Sequence, residues 1–299
     1  MKIFKVLIKA LFLLSALLAG CTEIDLSGNK NITLQFQYTA DGTTDVLADY
    51  IGSVTLFVYD AETGKFIQSV KVDNAELLKN KSVNLLLDPG MYDIICWGNV
   101  EDNTAFSNVS SGESEAMLTH LHADSEQKIK TNDPLYYGKV ILTVPSTLEE
   151  TNATVSFQCA HIDVWVYVKG ITDLSASGQN IPPIVCISNL YPAYSFSMQT
   201  QGEPLSYYPE SAYREDKLVS MAHCSVLRFT ENTSAKLSLY KGSTGELLDT
   251  VSISQFIADN QINISSKEEV AIPLLVEYGS LGITIKIPNW DEVSTAPEW

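Results

Sequence analysis

Residues 32–38 read Ile-Thr-Leu-Gln-Phe-Gln-Tyr, apolar at every second place, the period of a strand with one face in a core and one in water. Residues 54–59 and 66–72 predict two more strands. Asp60-Ala61-Glu62-Thr63-Gly64-Lys65 between them supplies turn residues, so the pair predicts a hairpin. Residues 74–79 predict one or two helical turns. Residues 83–87 and 91–97 predict strands around Asp88-Pro89-Gly90, where proline presets φ and glycine accepts a positive one. The polar stretch 99–112 reads as a loop, and 115–122 and 139–144 as strands. Residues 145–152, polar with one proline and two glutamates, predict a domain boundary. Beyond it, 154–168 predict one long strand rich in Val, Phe, Ile, Trp and Tyr, ended by Gly170. Further strands are predicted over 184–188, 226–230, 236–240, 247–253, 270–276 and 282–287, with a turn from Gly242 to Gly245. A long loop over 199–216 carries two prolines and several tyrosines. Many short strands parted by turns, with no strand–helix alternation, predict an all-β chain of two tandem β-sandwich domains.

The N-terminus follows a different pattern. Lys2, Lys5 and Lys9 lead into residues 10–18, apolar apart from Ser15. That run is shorter than the roughly 20 apolar residues a permanent transmembrane helix needs. A basic start, a short apolar core and small closing residues predict a signal peptide. Leu18-Ala19-Gly20-Cys21 is similar to the bacterial lipobox, in which the cysteine thiol accepts the diacylglyceryl group. The expected division is a signal peptide over 1–20, a lipidated linker over 21–30, an N-terminal sandwich over 31–147 and a C-terminal sandwich over 148–299. No other apolar run reaches spanning length. The expected location is therefore a membrane, held by lipid on Cys21, with Glu23 and Asp25 loosely fitting a surface-export signal; that this is the outer membrane is implied by the resemblance given below.

Hydrophobic residues make up 45% of the chain, enough for packed cores. The net charge is −17, and residues 1–20 hold three lysines and no acid, so the remainder is more acidic still. Such a surface repels phosphate backbones, which excludes nucleic acid as the expected partner. It also repels anionic headgroups, leaving attachment to the lipid. Arginine occurs only as Arg214 and Arg228, so an arginine-specific protease finds no site between Cys21 and Arg214. Besides Cys21 the cysteines are Cys96, Cys159, Cys186 and Cys224, which admit three full disulfide pairings. Cys96 and Cys186 lie in strongly apolar runs, where a buried free thiol is common.

Candidate chemistry is sparse. His120-Leu121-His122, Cys159 with His161, and His223 beside Cys224 offer metal-ligand types. Their spacing does not assemble the three or four ligands zinc needs, and His120 and His122 read as solvent-facing strand positions. No nucleophile elbow, zinc-protease helix or glycine-rich phosphate loop is present. The expectation is no enzyme, no catalytic residue, no metal and no cofactor. Asp249-Thr250-Val251 fits a three-residue O-glycosylation pattern. Tyr191, Tyr194, Tyr207, Tyr208 and Tyr213 gather around one loop, as aromatic platforms of sugar sites do. Surface glycan binding on Tyr207, Tyr208 and Tyr213 is therefore the alternative function.

Four phrases carry a family resemblance. They are Leu87-Asp88-Pro89-Gly90-Met91-Tyr92 with Cys96-Trp97-Gly98-Asn99; Asp133-Pro134-Leu135-Tyr136-Tyr137-Gly138; His161-Ile162-Asp163-Val164-Trp165-Val166-Tyr167-Val168-Lys169-Gly170; and Ile283-Thr284-Ile285-Lys286-Ile287 with Asn289-Trp290. In this order, behind a lipobox, they resemble the FimB-type fimbrial anchor lipoproteins of Bacteroidales type V pili. The resemblance implies two transthyretin-like sandwiches and a role at the pilus base. It also implies a partner, the fimbrial structural subunit, joined by strand addition. In such pili a subunit loses its first strand to an arginine-specific protease, and the next subunit's C-terminal segment fills the groove. Without an arginine before Arg214, the strand at 32–38 stays in place, the logic of a terminator. The donor segment expected is 281–299, with Ile283, Ile285, Ile287, Trp290 and Trp299 as groove-filling side chains. The competing expectation for the three isoleucines is the last strand of the protein's own sandwich.

Overall fold

The structure, a computed structural model, describes residues 30–147, 149–280 and 282–289. Alternation along β1 (Ile32–Gln37) buries Ile32, Leu34 and Phe36 and turns Thr33, Gln35 and Gln37 outward. A short helix, α1 (Leu47–Tyr50), leads to the hairpin of β2 (Val54–Asp60) and β3 (Phe66–Val72). Asp60 closes its turn by accepting from the Glu62 and Thr63 amides and the Thr63 hydroxyl, while Gly64 takes φ +68°. α2 (Asn74–Asn80) starts where the Asp73 carboxylate accepts from the Glu76 amide, and stops at Lys81 in the left-handed region. There follow β4 (Ser82–Leu85), β5 (Gly90–Gly98), β6 (Thr104–Ser107), β7 (Met117–His120), β8 (Tyr136–Val144) and β9 (Thr151–Cys159).

The first sheet runs β3-β2-β5-β8-β9-β1-β4. β8 and β9 pair only at Tyr136, Tyr137 and Gly138, and beyond that corner the β9-β1-β4 wing shares one core with β2-β5-β8. Gly138 makes the corner feasible, since a Cβ there would lie 2.6 Å from the Val155 side chain. β1 is an interior strand, parallel to β9 and antiparallel to β4.

The second half comprises β10 (His161–Lys169), β11 (Ile184–Leu190), β12 (Ala193–Ser195), β13 (Thr200–Gln201), β14 (Leu205–Tyr207), β15 (Ser211–Arg214), β16 (Val219–Leu227), β17 (Lys236–Tyr240), β18 (Leu247–Ser252), α3 (Ile253–Asp259), β19 (Ala271–Gly279) and β20 (Gly282–Lys286). Sheets β15-β16-β10-β19-β20 and β14-β11-β17-β18 enclose the second core. β10 lies parallel to β19, repeating the pairing of an opening strand with a late one seen in β1 and β9. Gly170, at φ +83°, ends β10 where a Cβ would come 2.1 Å from the Tyr278 carbonyl oxygen.

A third sheet, β13-β12-β7-β6, takes strands from both halves. It belongs to an aromatic cluster in which Phe57, Ile95, Trp97 and Tyr137 pack with Leu118, Tyr194 and Phe196. Trp97 and Tyr194 stack with ring centroids 5.8 Å apart. With apolar clusters on both faces, β5 is buried continuously from Ile94 to Gly98, which explains its unbroken apolar run.

Three expectations are corrected here. The strand expected over 154–168 is two strands, because Ala160 leaves the ladders: its amide donates to the Leu135 carbonyl and its carbonyl accepts from the Arg228 amide and the Tyr194 hydroxyl. The boundary expected between 147 and 148 falls ahead of β9, which belongs to the first sheet beside β1, so the halves meet at Ala160. The loops expected over 99–112 and 199–216 contain β6, β13, β14 and β15. Cys96, Cys159, Cys186 and Cys224 are all buried free thiols, which closes the question of pairing.

Since Leu34 is fully enclosed in the first core, Leu34→Ala should cost about 2–5 kcal/mol, and the similar-sized Leu34→Met less than about 1.5 kcal/mol. Urea denaturation of the two variants checks this, and equal, small losses would show that β1 is dispensable to the fold.

Candidate functional site

In strand-exchange assembly the functional elements are the opening strand, the closing strand and whatever joins the two sandwiches. The opening strand is locked in. β1 exchanges ladder bonds with two neighbours, and its apolar side chains reach the core floor formed by Leu56, Val58 and Ile94. The closing strand is held differently. Among the described residues β20 sits at the sheet margin and pairs only with β19. Ile283 and Ile287 are 45% and 38% exposed, while Ile285 packs against the second core. The three isoleucines thus lie in and just beyond the last strand of the protein's own sandwich. Trp290, Trp299 and Cys21 lie outside the described residues.

Between the sandwiches, residues 264–269 form a clasp. Arg228 donates to the carbonyls of Ile264, Lys267 and Glu268. Glu231 accepts from the Ile264 and Ser265 amides and the Ser265 hydroxyl. From the first sandwich, the Asp41 carboxylate accepts from the Glu268 amide, and the Cys159 amide donates to the Glu268 carboxylate at 2.8 Å. Glu269 accepts from both the Tyr38 and Tyr136 hydroxyls. Burial, reinforced by the Glu269 carboxylate, raises the pKa of both phenols well above its ordinary value, so they remain donors.

The clasp also gathers metal-ligand types. Cys159, His161 and Glu269 bring their ligand atoms within 4.8 Å of one another. Each already has a protein partner. His161 Nδ1 lies 3.1 Å from the Leu135 carbonyl, an acceptor only, so that nitrogen carries the proton. Burial holds the Cys159 thiol protonated. Sequence reading missed Glu269, because nothing near it in the chain hints at a partner more than 100 residues away. The other histidines are scattered. His120, expected to face solvent, is buried: its ring bonds the Thr131 carbonyl and accepts from the His122 amide. His223 is exposed and bonds Asp163 at 2.9 Å.

The expected tyrosine platform does not assemble. Tyr207 is 0% exposed, sealed in the second core because β14 completes a sheet there. Tyr208 sits beneath the Lys128 ammonium, 4.4 Å from its ring centroid. Tyr213 belongs to β15, on the opposite sheet. Tyr194 is buried, its hydroxyl spent on the Ala160 and Arg228 carbonyls.

Two joined β-sandwiches, with an interior opening strand and a marginal late strand, define an all-β class of protein. The sequence matches the family described as fimbrillin-A associated anchor proteins Mfa1 and Mfa2 over residues 20–296, and the chain belongs to that family. Its association is therefore with fimbriae at the cell surface, in a family of fimbrial anchor proteins. Among solved structures, the fimbrial anchor protein Mfa2 from Porphyromonas gingivalis shares 14% identity over 86% of this chain and 97% of its own, with a TM-score of 0.63. A candidate polysaccharide-binding protein from Bacteroides thetaiotaomicron shares 13% identity over 88% and 100%, with a TM-score of 0.68. A candidate adhesin from Bacteroides ovatus shares 16% over 87% and 94%, also at 0.68. At these identities the likeness speaks for the fold. No curated protein matches the sequence at a significant level. Among the described residues no helix is long and apolar enough to cross a membrane.

The clasp makes stability depend on acid. Hydrogen bonds from Ser265 hold the Glu231 carboxyl at about 2, against an ordinary value of 4.5. A depressed carboxylate stabilises the fold fully above its unfolded pKa, and the contribution fades as pH falls toward the folded one. Thermal melts should therefore fall between about pH 4.5 and pH 2 in a way that Glu231→Gln flattens. Parallel profiles for the two proteins would remove Glu231 as a source of that dependence.

Proposed function

We propose that this protein anchors a type V fimbria at its base in the outer membrane, held by lipid on Cys21, and limits fibre growth by refusing an incoming strand. The observation that carries the reading is β1, an interior strand between β4 and β9 with no arginine ahead of it. Arg214, the first arginine, lies on β15 in the second sandwich. A protease specific for arginine therefore finds nothing to cut on either side of β1, and the groove stays filled. A subunit in that state can donate but not accept. The donor in this reading is the segment from β20 onward, because β20 is held by one neighbour while every interior strand is held by two. Joining the next subunit by strand addition then uses main-chain bonds for affinity and alternate side chains for fit.

Two outcomes test the reading. Deleting the gene should leave fimbriae that are shed or longer, seen by electron microscopy and fractionation, and unchanged cell-bound fibres would sink it. Lys30→Arg places an arginine immediately before β1. Once mass spectrometry shows cleavage there by an arginine-specific protease, both sandwiches, with β1 still in place, should leave the membrane fraction. Continued membrane retention after cleavage would show that lipid on Cys21 is not the tether.

A further inference from the structure

Beside the clasp lies a cleft of about 850 Å³, walled by the end of β11, by β13, by the stretch after β16 and by Ile264 and Ser265. That volume falls in the range of roughly 300–1,000 Å³ typical of ligand sites. Its chemistry differs from the rest of this acidic protein. Arg228 is the one charged residue among those lining it, and its guanidinium is spent on the carbonyls of Ile264, Lys267 and Glu268. Glu231, next to the rim, is likewise spent on Ile264 and Ser265. What remains on offer is neutral. The side chains of Gln199, Thr200, Asn232 and Ser234 line the cleft, and among the described residues they have no hydrogen-bond partner. Amides and hydroxyls of this kind both donate and accept. Tyr191 is 42% exposed and Phe229 half-buried, so the same cleft carries aromatic surface.

We propose that this cleft binds a neutral oligosaccharide, with Tyr191 against the C–H face of a sugar ring and Asn232 and Gln199 on its hydroxyls. Sugar rings present an apolar face and a rim of groups that donate and accept, the combination the cleft supplies. An anionic glycan finds no free cation here and meets a net charge of −17. A peptide adding as a strand needs an open sheet edge, and the edge strand lining the cleft, β13, is two residues long. The site is separate from β1 and β20, so it stands or falls independently of the anchoring role.

The test is an array of neutral gluco-, manno-, galacto- and N-acetyllactosamine oligosaccharides with sialylated and sulfated counterparts, probed with the full-length protein in detergent, then calorimetry on the strongest binder. Neutral oligosaccharides should bind. Tyr191→Ala and Asn232→Ala should each weaken binding about tenfold or more, whereas Tyr191→Phe, which keeps the ring, and Tyr213→Ala, outside the cleft, should retain it. Both cleft residues are exposed, so melting temperatures of the variants should match the parent. Absence of neutral-glycan binding, preference for the acidic glycans, or undiminished binding by both alanine variants would each overturn the assignment.

Discussion

Everything else in this fold leans on the double pairing of β1. Its backbone satisfies β9 on one side, running parallel, and β4 on the other, running antiparallel. Take it away and two rows of main-chain donors and acceptors lose their partners, each buried group at a cost of about 1–3 kcal/mol, while the apolar floor beneath Ile32, Leu34 and Phe36 opens to water. The strand's influence does not end at its own sheet. Tyr38, one residue beyond β1, reaches Glu269 of the second half, and β9, its parallel partner, runs through Ala160 directly into β10. The position of β1 therefore fixes both the first core and the register of one sandwich on the other.

The joint between the sandwiches combines two kinds of contact. The shared sheet supplies an apolar seam, in which Trp97 stacks on Tyr194 and Phe57 meets Phe196 with the rings tilted by 56°. The clasp supplies direction. Burying carboxylates is costly unless they are hydrogen-bonded; Glu269 receives the Tyr38 and Tyr136 hydroxyls, Glu231 the Ile264 and Ser265 donors, and Glu268 the Cys159 amide. Such polar contacts add less to stability than their number suggests, because desolvation opposes them. Their geometry is demanding, however, and restricts how one sandwich can sit on the other. A seam of aromatics alone tolerates sliding; a seam pinned at Glu268 and Glu269 by Asp41, Cys159, Tyr38 and Tyr136 does not.

Much of the first sandwich was legible because its strands alternate cleanly and its turns carry Asp, Pro and Gly. The landmark phrases also acquire a reason. Asn99, at φ +58°, donates to the carbonyls of Tyr50 and Pro134 and accepts from the Gly52 amide. Asp133 accepts from the Glu101, Asn103 and Thr104 amides. The two phrases hold each other's loops, so one is structurally useful only with the other. What stayed hidden was tertiary. Nothing local marks Ala160 as a break, since it is small, apolar and flanked by strand formers; its bonds to Leu135, Arg228 and Tyr194 make the break. Tyr207 reads as a loop aromatic until β14 pairs with β11 and carries it inward. The cleft beside Tyr191 draws on four separate stretches, so no single window of sequence contains it.

The same geometry bears on load. A tether at the N-terminus pulls β1 along its own axis. Because β1 lies between two strands, that pull is a shear borne by both ladders together, not an unzipping that breaks one bond at a time. A margin strand such as β20 resists less, having one ladder instead of two. For an anchor of the kind proposed above this asymmetry is the useful arrangement: the end that would face the membrane is the strongly held one, and the end that would face the fibre is held by a single ladder. Under that proposal the missing arginine protects the first property, since a single cut before β1 would separate the lipid from the strand that would carry the load.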